Sequence, residues 1–197
     1  AGIVIGEIDV ESVGNTIDNV VFTDPNGPFT TEFDANLQKW VVKVQDPSQL
    51  DFEAGSLVNL EIQATDSANL TSTAVFSFNL SDVNEAPEFD SNNNSFTIAE
   101  HSAIGTSIGV ASATDQDTDN SLSYSIVGGN DANIFAIDST TGNITVANAA
   151  QLDYESQTSH GLTVRATDQD GLLQETAVTI SVTDETTLTY NSSLAFN

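Results

Sequence analysis

The sequence predicts an all-β chain of two tandem Greek-key β-sandwich domains, and an internal repeat is the first observation behind this prediction. The segment Leu50–Glu53 (LDFE) recurs as Leu152–Glu155 (LDYE), and Leu60–Asp66 (LEIQATD) recurs as Leu162–Asp168 (LTVRATD), both at an offset of 102 residues. One offset shared by separate segments indicates that a whole domain is repeated. A chain of 197 residues is long enough for two domains of about 100 residues, each with its own core.

The second and third observations are the alternation of apolar residues and the spacing of turn signals. Phe76, Phe78 and Leu80 alternate with polar residues, which is the period of a β-strand with one buried face. No helical stripe of useful length is present. Turn signals separate the short apolar runs at the spacing of a sandwich, at Asn26-Gly27, Gly128-Gly129, Gly142-Asn143 and Asp170-Gly171.

The repeat register divides the chain into three parts. Domain 1 covers residues 1–84 and lacks the start of its first strand, because Gly2–Gly6 (GIVIG) aligns with Gly105–Gly109 (GTSIG) inside that strand. Domain 2 covers residues 85–186, and residues 187–197 are a tail or the start of a following repeat. The connector contains Pro87, which fixes its own φ and holds Ala86 extended, so we expect a stiff joint.

Composition and charge exclude several classes of partner. The chain has 3 basic residues against 29 acidic ones, a formal net charge of -26, so it repels a phosphate backbone and anionic membrane surfaces. We expect no nucleic-acid partner and no membrane insertion, because no stretch is apolar enough to span a bilayer. The absence of Cys excludes disulfides and thiolate chemistry. Richness in Asn, Thr, Ser, Asp and Gly is typical of exported bacterial surface proteins and favours an extracellular, secreted or cell-surface location.

Acidic residues concentrate at predicted strand ends and in the connector, which points to a divalent cation. Two carboxylates about 5 Å apart repel by roughly 3 kcal/mol at an effective dielectric constant of about 20, so a convergent group of them requires a counter-ion. Calcium suits such a group because it accepts six to eight oxygen ligands in flexible geometry. Strand-end acids are otherwise common as solvated turn residues. A solvated turn, however, gives no reason for D-x-E and A-T-D to recur at one offset.

These motifs together resemble those of the cadherin family over nearly the whole chain. Leu152–Glu155 is similar to the LDRE motif, Asp115–Asp117 to DxD, Ala166–Asp168 to AxD, Ala99-Glu100 to the PE at the start of a repeat, and Asp82–Phe89 (DVNEAPEF) to the linker DxNDNAPxF. The resemblance implies tandem cadherin-like repeats with immunoglobulin-like (cadherin-like) sandwiches. The linker is one residue shorter than the family pattern and has Glu in place of its second Asp, a form closer to bacterial-type cadherin domains of secreted or surface adhesins.

The resemblance also implies three groups of calcium ligands. Two or three ions between the repeats would be held by Asp51, Glu53, Asp82, Asn84, Glu85, Asp115, Asp117 and Asp168, with the carbonyls of Val83 and Asn120. The base of domain 2 would supply half of a second junction, from Glu100, Asp153, Glu155 and Asp184. The top of domain 1 would bind only weakly through Asp9, Glu11 and Asp66, because Asp9-Val10-Glu11 stands where a DxD belongs.

The resemblance implies a calcium-binding tandem repeat of an extracellular adhesion protein, in which calcium rigidifies the inter-domain linker and joins neighbouring repeats. The alternative is a calcium-dependent binding module that recognises a polysaccharide, a peptide or protein ligand, or another copy of itself. We do not expect an enzyme, because the G-x-S-x-G match at Gly105–Gly109 would need a strand-to-helix turn. His101 and His160 are too few for a zinc triad and are expected on the surface.

Overall fold

The computed structural model describes residues 3–92, 94–117 and 121–185, which fold into two compact units. Unit 1 is Ala1–Val83 and unit 2 is Asn84–Asn197. Among the described residues there is no α-helix, and none of the helical segments there could span a bilayer. The all-β prediction is confirmed. The domain bounds 1–84 and 85–186 stay predictions, and the predicted tail 187–197 lies outside the described residues.

Unit 1 contains two antiparallel sheets in the described part of the chain. One has the strand order β1-β4-β3 and the other the order β2-β5-β6, so the chain passes from one sheet to the other after β1, after β2 and after β4. A short 3-10 turn at Pro47–Gln49 leads into the Leu50–Glu53 segment. The strands are β1 (Val4–Ile8), β2 (Ile17–Phe22), β3 (Phe29–Asp34), β4 (Lys39–Val44), β5 (Leu57–Asp66) and β6 (Thr71–Asn79).

Unit 2 repeats this arrangement and adds strands. Its larger sheet has the order β11-β14-β15-β8, a second has the order β12-β13-β9, and β7 pairs with β10. Strand β8 runs parallel to β15, whereas the other pairs are antiparallel. The strands are β7 (Glu88–Phe89), β8 (Ser95–Ala99), β9 (Ser107–Val110), β10 (Ala113–Thr114), β11 (Ser123–Gly128), β12 (Phe135–Ile137), β13 (Asn143–Val146), β14 (Ser159–Thr167) and β15 (Leu173–Thr183).

The predicted alternation builds the core of each unit. In unit 2, Leu162 and Val164 of β14 and Val178 and Ile180 of β15 are all at most 2% exposed. Burial of one such side chain contributes about 1.5–3 kcal/mol before conformational entropy is counted. Unit 1 has a smaller core, built around Val20, Phe22, Phe29, Val42 and Ile62.

One sequence expectation about the fold is wrong. His160 was expected on the surface, but it is 5% exposed and lies edge-on to Phe135, with ring centroids 5.2 Å apart. The reason is strand parity: His160 is two residues before Leu162 on β14, and every second residue of that strand points inward. Its Nε2 is buried and has no hydrogen-bond partner among the described residues. His101, in contrast, is exposed as expected.

Candidate metal centres

The three basic residues of the chain are all engaged in ion pairs between neighbouring strands. The Nζ atom of Lys39 lies 2.8 Å from Glu7, and this hydrogen bond raises the pKa of the lysine. The Nη2 atom of Arg165 lies 2.6 Å from Glu175, and Lys43 pairs with Glu32. Because no other Lys or Arg exists in the sequence, neutralisation of the remaining acidic groups depends on cations from solution.

The base of unit 2, where β8 and β15 end, is organised around the carboxylate of Glu100. This side chain is 2% exposed. Its Oε1 accepts a hydrogen bond from the N–H of Glu185 at 2.9 Å, and its Oε2 accepts one from the N–H of Tyr154 at 3.1 Å. These backbone hydrogen bonds lower the pKa of Glu100 even though burial opposes ionisation. A buried, ionised carboxylate is therefore held at this end of the unit.

Two further carboxylates converge on Glu100. One oxygen atom each from Glu100, Glu155 and Asp184 lies within 4.8 Å of the others. The N–H of Glu155 itself lowers the pKa of that residue, but the negative charge of Glu100, desolvation and Asp153 outweigh it and raise the pKa. Two oxygens bound to one calcium ion lie at most about 5 Å apart, twice the usual calcium–oxygen distance. The group therefore fits the spacing and the charge of a calcium site.

Asp153, the fourth residue predicted at this base, shapes the turn that presents Glu155. Its Oδ2 accepts a hydrogen bond from Ser156 Oγ at 2.7 Å, and its Oδ1 accepts one from the N–H of Glu155 at 3.1 Å. The hydrogen bond from Ser156 is the largest cause of the lowered pKa of Asp153. Within the described residues, Asp153 is not a member of the group of three carboxylates.

The opposite end of unit 2 gathers residues predicted at the inter-repeat site. Asp168 follows β14 and is 6% exposed. Its Oδ1 accepts hydrogen bonds from the N–H groups of Gly171 and Leu172, and its Oδ2 accepts one from Asn84 Nδ2 at 2.8 Å. Burial alone favours the neutral acid, but these hydrogen bonds, with that from Asn84 the largest, lower the pKa of Asp168. A carboxylate oxygen has two lone pairs. Oδ2 therefore has a second lone pair, besides the one that accepts from Asn84, with which it can bind a cation.

Asp115 and Asp117 lie next to the start of unit 2. Oδ1 of Asp115 accepts the N–H of Asp117 at 3.0 Å, and Oδ2 of Asp117 accepts the N–H of Glu85 at 3.1 Å. The other carboxylate oxygen of Asp115, Oδ2, is buried and accepts no hydrogen bond from the described residues. A buried carboxylate oxygen in this state is costly unless an ion or water satisfies it. Asn120, predicted to add a carbonyl, lies outside the described residues.

The ligands predicted in unit 1 lie in a turn and at the end of the unit. Oδ1 of Asp51 accepts the N–H groups of Glu53 and Ala54, at 3.0 and 3.1 Å, which shapes the turn and leaves Glu53 exposed. Asp82 and Val83 are the last residues of unit 1, and both are exposed.

The three residues predicted at the top of domain 1 make contacts of a different kind. Asp66 is 5% exposed, and its Oδ2 accepts hydrogen bonds from Ser12 Oγ and Asn15 Nδ2, both at 3.0 Å. Asp9 lies 3.3 Å from Lys39 Nζ, and Glu11 is exposed. In the described part of the chain these three acids do not form a convergent group. Weak binding there stays a prediction.

Sequence reasoning missed the backbone and hydroxyl donors that position the acidic side chains. The N–H groups of Tyr154 and Glu185 hold Glu100, and Ser156 Oγ holds Asp153. Only the Ser156 contact had a local signal, a Ser three residues after an Asp in a turn. The contacts to Glu100 join segments more than 50 residues apart, so no local pattern contains them.

Ser107, at the centre of the G-x-S-x-G match, lies on strand β9. Its Oγ donates a hydrogen bond to Asn143 Oδ1 on the neighbouring strand at 2.6 Å. The strand-to-helix turn of a nucleophile elbow is not found at this position. That the chain is not an enzyme stays a prediction.

Comparisons with known proteins identify a matching domain family, related sequences and similar solved structures. The family model of the cadherin domain matches residues 94–183. Protocadherin Fat 4 of Mus musculus is 40% identical over 133 residues, which is 64% of this chain and 3% of the relative. Cadherin-related family member 2 of Homo sapiens is 34% identical over 148 residues, 73% of this chain and 11% of the relative. Protocadherin Fat 1 of Homo sapiens is 34% identical over 173 residues, 84% of this chain and 4% of the relative.

The chain therefore spans only a small part of the length of these relatives. All three come from animals, so the expected resemblance to bacterial-type cadherin domains stays a prediction. Among solved structures, Drosophila N-cadherin EC1-4 aligns with a TM-score of 0.67 over 93% of this chain and 45% of that chain, at 22% identity, which shows the fold. Extracellular cadherin domains 1-4 of Protocadherin Gamma B7 align with a TM-score of 0.57 over 86% of this chain and 42% of that chain, at 26% identity. The chain is built of tandem cadherin-like repeats.

Proposed function

We propose that this chain is a calcium-binding pair of repeats from an extracellular adhesion protein, and that calcium rigidifies the linker between the repeats. The observation that carries the calcium-binding part of the proposal is the convergence of Glu100, Glu155 and Asp184 within 4.8 Å at the base of unit 2. Two hydrogen bonds keep Glu100 ionised, while its charge raises the pKa of Glu155. That combination is unfavourable for three carboxylates alone and favourable for a divalent cation bound among them.

The residues at the start of unit 2 support the part of the proposal that concerns the linker. Asn84 donates a hydrogen bond to Asp168, and the N–H of Glu85 donates one to Asp117. These bonds hold the first residues of unit 2 against two carboxylates of the same unit that are predicted calcium ligands. Asp82 and Val83 come immediately before Asn84 in the chain. We propose that two or three ions share these ligands with Asp51 and Glu53, and that such shared ions limit rotation about the linker.

The adhesion role and the extracellular location rest on the relatives. The protocadherin neighbours are described as extracellular cadherin domains. The excess of acidic residues is consistent with an environment in which calcium is abundant, because the chain itself has 3 basic residues for 29 acidic ones.

Calorimetric titration with calcium tests the ligand assignment. The parent chain should bind several ions, and Asp115→Asn should remove or weaken one class of sites, because Oδ2 of Asp115 is buried without a hydrogen bond. Asp131→Asn is the matched control, since Asp131 is exposed and belongs to no predicted ligand group. Equal stoichiometry and affinity in the parent and in Asp115→Asn would contradict the assignment.

A second candidate function is ligand recognition by the domains themselves. Phe33 is 45% exposed and lies edge-on to Trp40, with ring centroids 5.7 Å apart, and such aromatic pairs suit carbohydrate or protein contacts. Self-association is a further form of this candidate, because a protocadherin gammaB7 EC3-6 structure, 28% identical, is described as a cis-dimer. Sedimentation velocity with calcium and with chelator, on the parent and on Phe33→Ser, distinguishes self-association from binding to another ligand.

A further inference from the structure

The hairpin formed by β3 and β4 of unit 1 is longer than its counterpart in unit 2, which is formed by β12 and β13. Phe29 pairs with Val44 in unit 1, and Phe135 pairs with Val146 at the equivalent position of unit 2. The stretch of chain between the paired residues is longer in unit 1, so β3 and β4 continue to pair beyond the length of β12 and β13. The same sandwich therefore forms without this extension, and the extension is available for another role.

The extension carries an aromatic pair and an exposed leucine. Phe33 and Trp40 lie opposite each other on the two strands, and their ring centroids are 5.7 Å apart. Trp40 packs partly against the core of unit 1, whereas Phe33 is 45% exposed and Leu37, in the turn of the hairpin, is 51% exposed. The repeat offset places Gly142 at the position of Trp40, so the sequence of unit 2 has no aromatic ring there. Unit 1 thus exposes apolar side chains that the fold of unit 2 does not require.

The turn of this hairpin is held by its own hydrogen bonds. Oδ1 of Asp34 accepts the N–H groups of Asn36 at 2.8 Å and of Leu37 at 3.2 Å. Gln38 has a φ of 54°, and its Nε2 donates a hydrogen bond to the carbonyl of Ala35. A turn that is already ordered loses little conformational entropy when a ligand binds. The exposed side chains of the hairpin are therefore presented on a rigid support.

Trp40 also lines a cleft of about 180 Å³ between β2 and β3, where one edge of each sheet of unit 1 lies beside the other. A cavity on the order of 150 Å³ accommodates a benzene ring, so this cleft can hold a ring of similar size. Nε2 of Gln45 reaches the carbonyl of Pro25 only at 3.4 Å, so this amide can turn to a ligand. A concave apolar surface with a few polar groups is the usual form of a small-ligand site. The apolar floor and the polar groups are formed by Val20, Phe22, Phe29, Asn19, Thr31 and Gln45.

We propose that the extended hairpin and the adjoining cleft, which we name the aromatic site, bind an uncharged polysaccharide, with a sugar ring stacked on the Phe33–Trp40 pair. This inference rests on the second candidate function, ligand recognition by the domains themselves. The C–H face of a pyranose ring is apolar and packs against an aromatic ring, whereas its hydroxyl groups need hydrogen-bond donors and acceptors around the ring. The amides of Asn19 and Gln45 and the hydroxyl of Thr31 supply both kinds of group at the cleft.

The charge around the aromatic site favours an uncharged ligand over an anionic one. Glu32 is exposed on β3, Asp34 ends that strand, and the whole chain has a formal net charge of -26. The two lysines of the hairpin are already paired, Lys39 with Glu7 and Lys43 with Glu32. A sulfated or carboxylated polysaccharide would therefore meet a repulsive field and no unpaired lysine on this hairpin.

The size of the aromatic site favours a sugar over a protein partner. A stable protein interface buries about 800 Å² on each partner and has an apolar centre. The hairpin offers Phe33, Leu37 and part of Trp40, which together are a small apolar surface. A single sugar ring needs little more than one aromatic ring beneath it. Weak contacts of this kind become strong attachment when a polysaccharide presents many copies of the same sugar.

Fluorescence of the full chain tests the proposal directly, because the sequence contains 1 Trp and that residue, Trp40, lies in the aromatic site. The chain is titrated with three uncharged polysaccharides, dextran, laminarin and galactomannan, and with the anionic polysaccharide alginate. At least one uncharged polysaccharide should change the Trp40 emission saturably and should retard the chain in a native gel that contains it. Alginate should do neither.

Two variants of the hairpin and one control locate the binding. Phe33→Ser and Leu37→Ser should each weaken polysaccharide binding, the first by about 10-fold or more, because an aromatic anchor carries much of the energy of such a contact. Leu37→Ser leaves the Phe33–Trp40 pair in place and so remains informative if Phe33→Ser melts lower than the parent. Ile104→Ser in unit 2 is the matched control, since Ile104 is also an exposed apolar residue, and it should bind like the parent.

Each titration is made with calcium and again with chelator, which separates this proposal from the calcium proposal. None of the residues that line the cleft is a predicted calcium ligand, so polysaccharide binding should persist in chelator. The proposal is overturned if none of the three uncharged polysaccharides binds, if both hairpin variants bind as tightly as the parent, or if alginate binds equally well. A change in Trp40 emission that grows with protein concentration alone, together with a dimer in sedimentation, would overturn the chosen ligand and assign the aromatic site to a second copy of the chain.

Discussion

Replacing Asp168 by Asn separates the structural role of this carboxylate from its proposed metal role. The carbonyl oxygen of Asn can keep the hydrogen bonds from Gly171 and Leu172, which reach Oδ1 of Asp168 at 2.6 and 2.8 Å. The Nδ2 group of the new side chain, however, faces Nδ2 of Asn84, so two donors meet where a donor now meets an acceptor. The same exchange removes the oxygen with a lone pair left for a cation.

The expected magnitude follows from ligand linkage. An ion at a hundred times its dissociation constant stabilises the folded state by about 2.7 kcal/mol, which corresponds to roughly 10–20 °C for a domain of about 100 residues. Loss of a partner in the outer shell of a metal site already weakens binding by about 10–100-fold. Loss of a direct ligand should do at least that, so at the same calcium concentration the ion contributes about 1.4 kcal/mol after a 10-fold loss of affinity and about 0.4 kcal/mol after a 100-fold loss.

Calorimetric melting of the parent and of the variant, each with calcium and with chelator, measures this effect. The matched control is Asp66→Asn in unit 1, at the equivalent repeat position, where Ser12 and Asn15 already occupy Oδ2. Both variants should melt lower than the parent in chelator. Asp168→Asn should lose part of the calcium-dependent rise of the unit 2 transition, because the ions at the Glu100, Glu155 and Asp184 group still contribute. Asp66→Asn should keep the whole rise. Retention of the full rise by Asp168→Asn would refute Asp168 as a ligand.

Two further predictions concern the core of unit 2. Desolvation lowers the pKa of His160, so its neutral form is favoured by folding; this stability is fully present above the unfolded pKa of about 6.5 and is lost as pH falls from there toward the lower folded pKa. Urea unfolding between pH 5 and 8, in chelator, should show this loss in the parent and in His101→Gln but not in His160→Leu. Gly109→Ala should destabilise unit 2 by about 1–3 kcal/mol, because its Cβ would overlap the ring of Phe96, while Gly6→Ala should be nearly neutral. Equal unfolding midpoints for the two Ala variants would contradict the packing described for β8.

The all-β architecture was predictable because its signals are local and repeated. The LDFE and LDYE segments and the two A-T-D motifs share one offset, and that offset also aligns the β5–β6 and β14–β15 pairs of the structure. Strand alternation at Leu162 and Val164 likewise depends only on neighbours in the same strand. Signals of this kind can be recognised in a single sequence without an alignment.

The features that escaped prediction depend on contacts between distant segments. The burial of His160 follows from the partner strands that cover its face, although its parity with Leu162 was a usable clue. The amides that hold Glu100 come from residues 54 and 85 positions later in the chain. The packing of the Phe96 ring against the backbone of Gly109 joins two strands, and no local pattern contains it.

Small-angle scattering of the full chain, with calcium and with chelator at matched ionic strength, measures whether calcium rigidifies the linker. Calcium shared between Asp82, Asp117 and Asp168 should restrict motion about the linker, and without it the acidic groups repel and the units separate by rotation. We expect a narrow distribution of inter-domain distances with calcium and a broader one with chelator, while far-ultraviolet dichroism keeps its β signature in both. Identical scattering curves in the two conditions would contradict calcium as the element that rigidifies the linker.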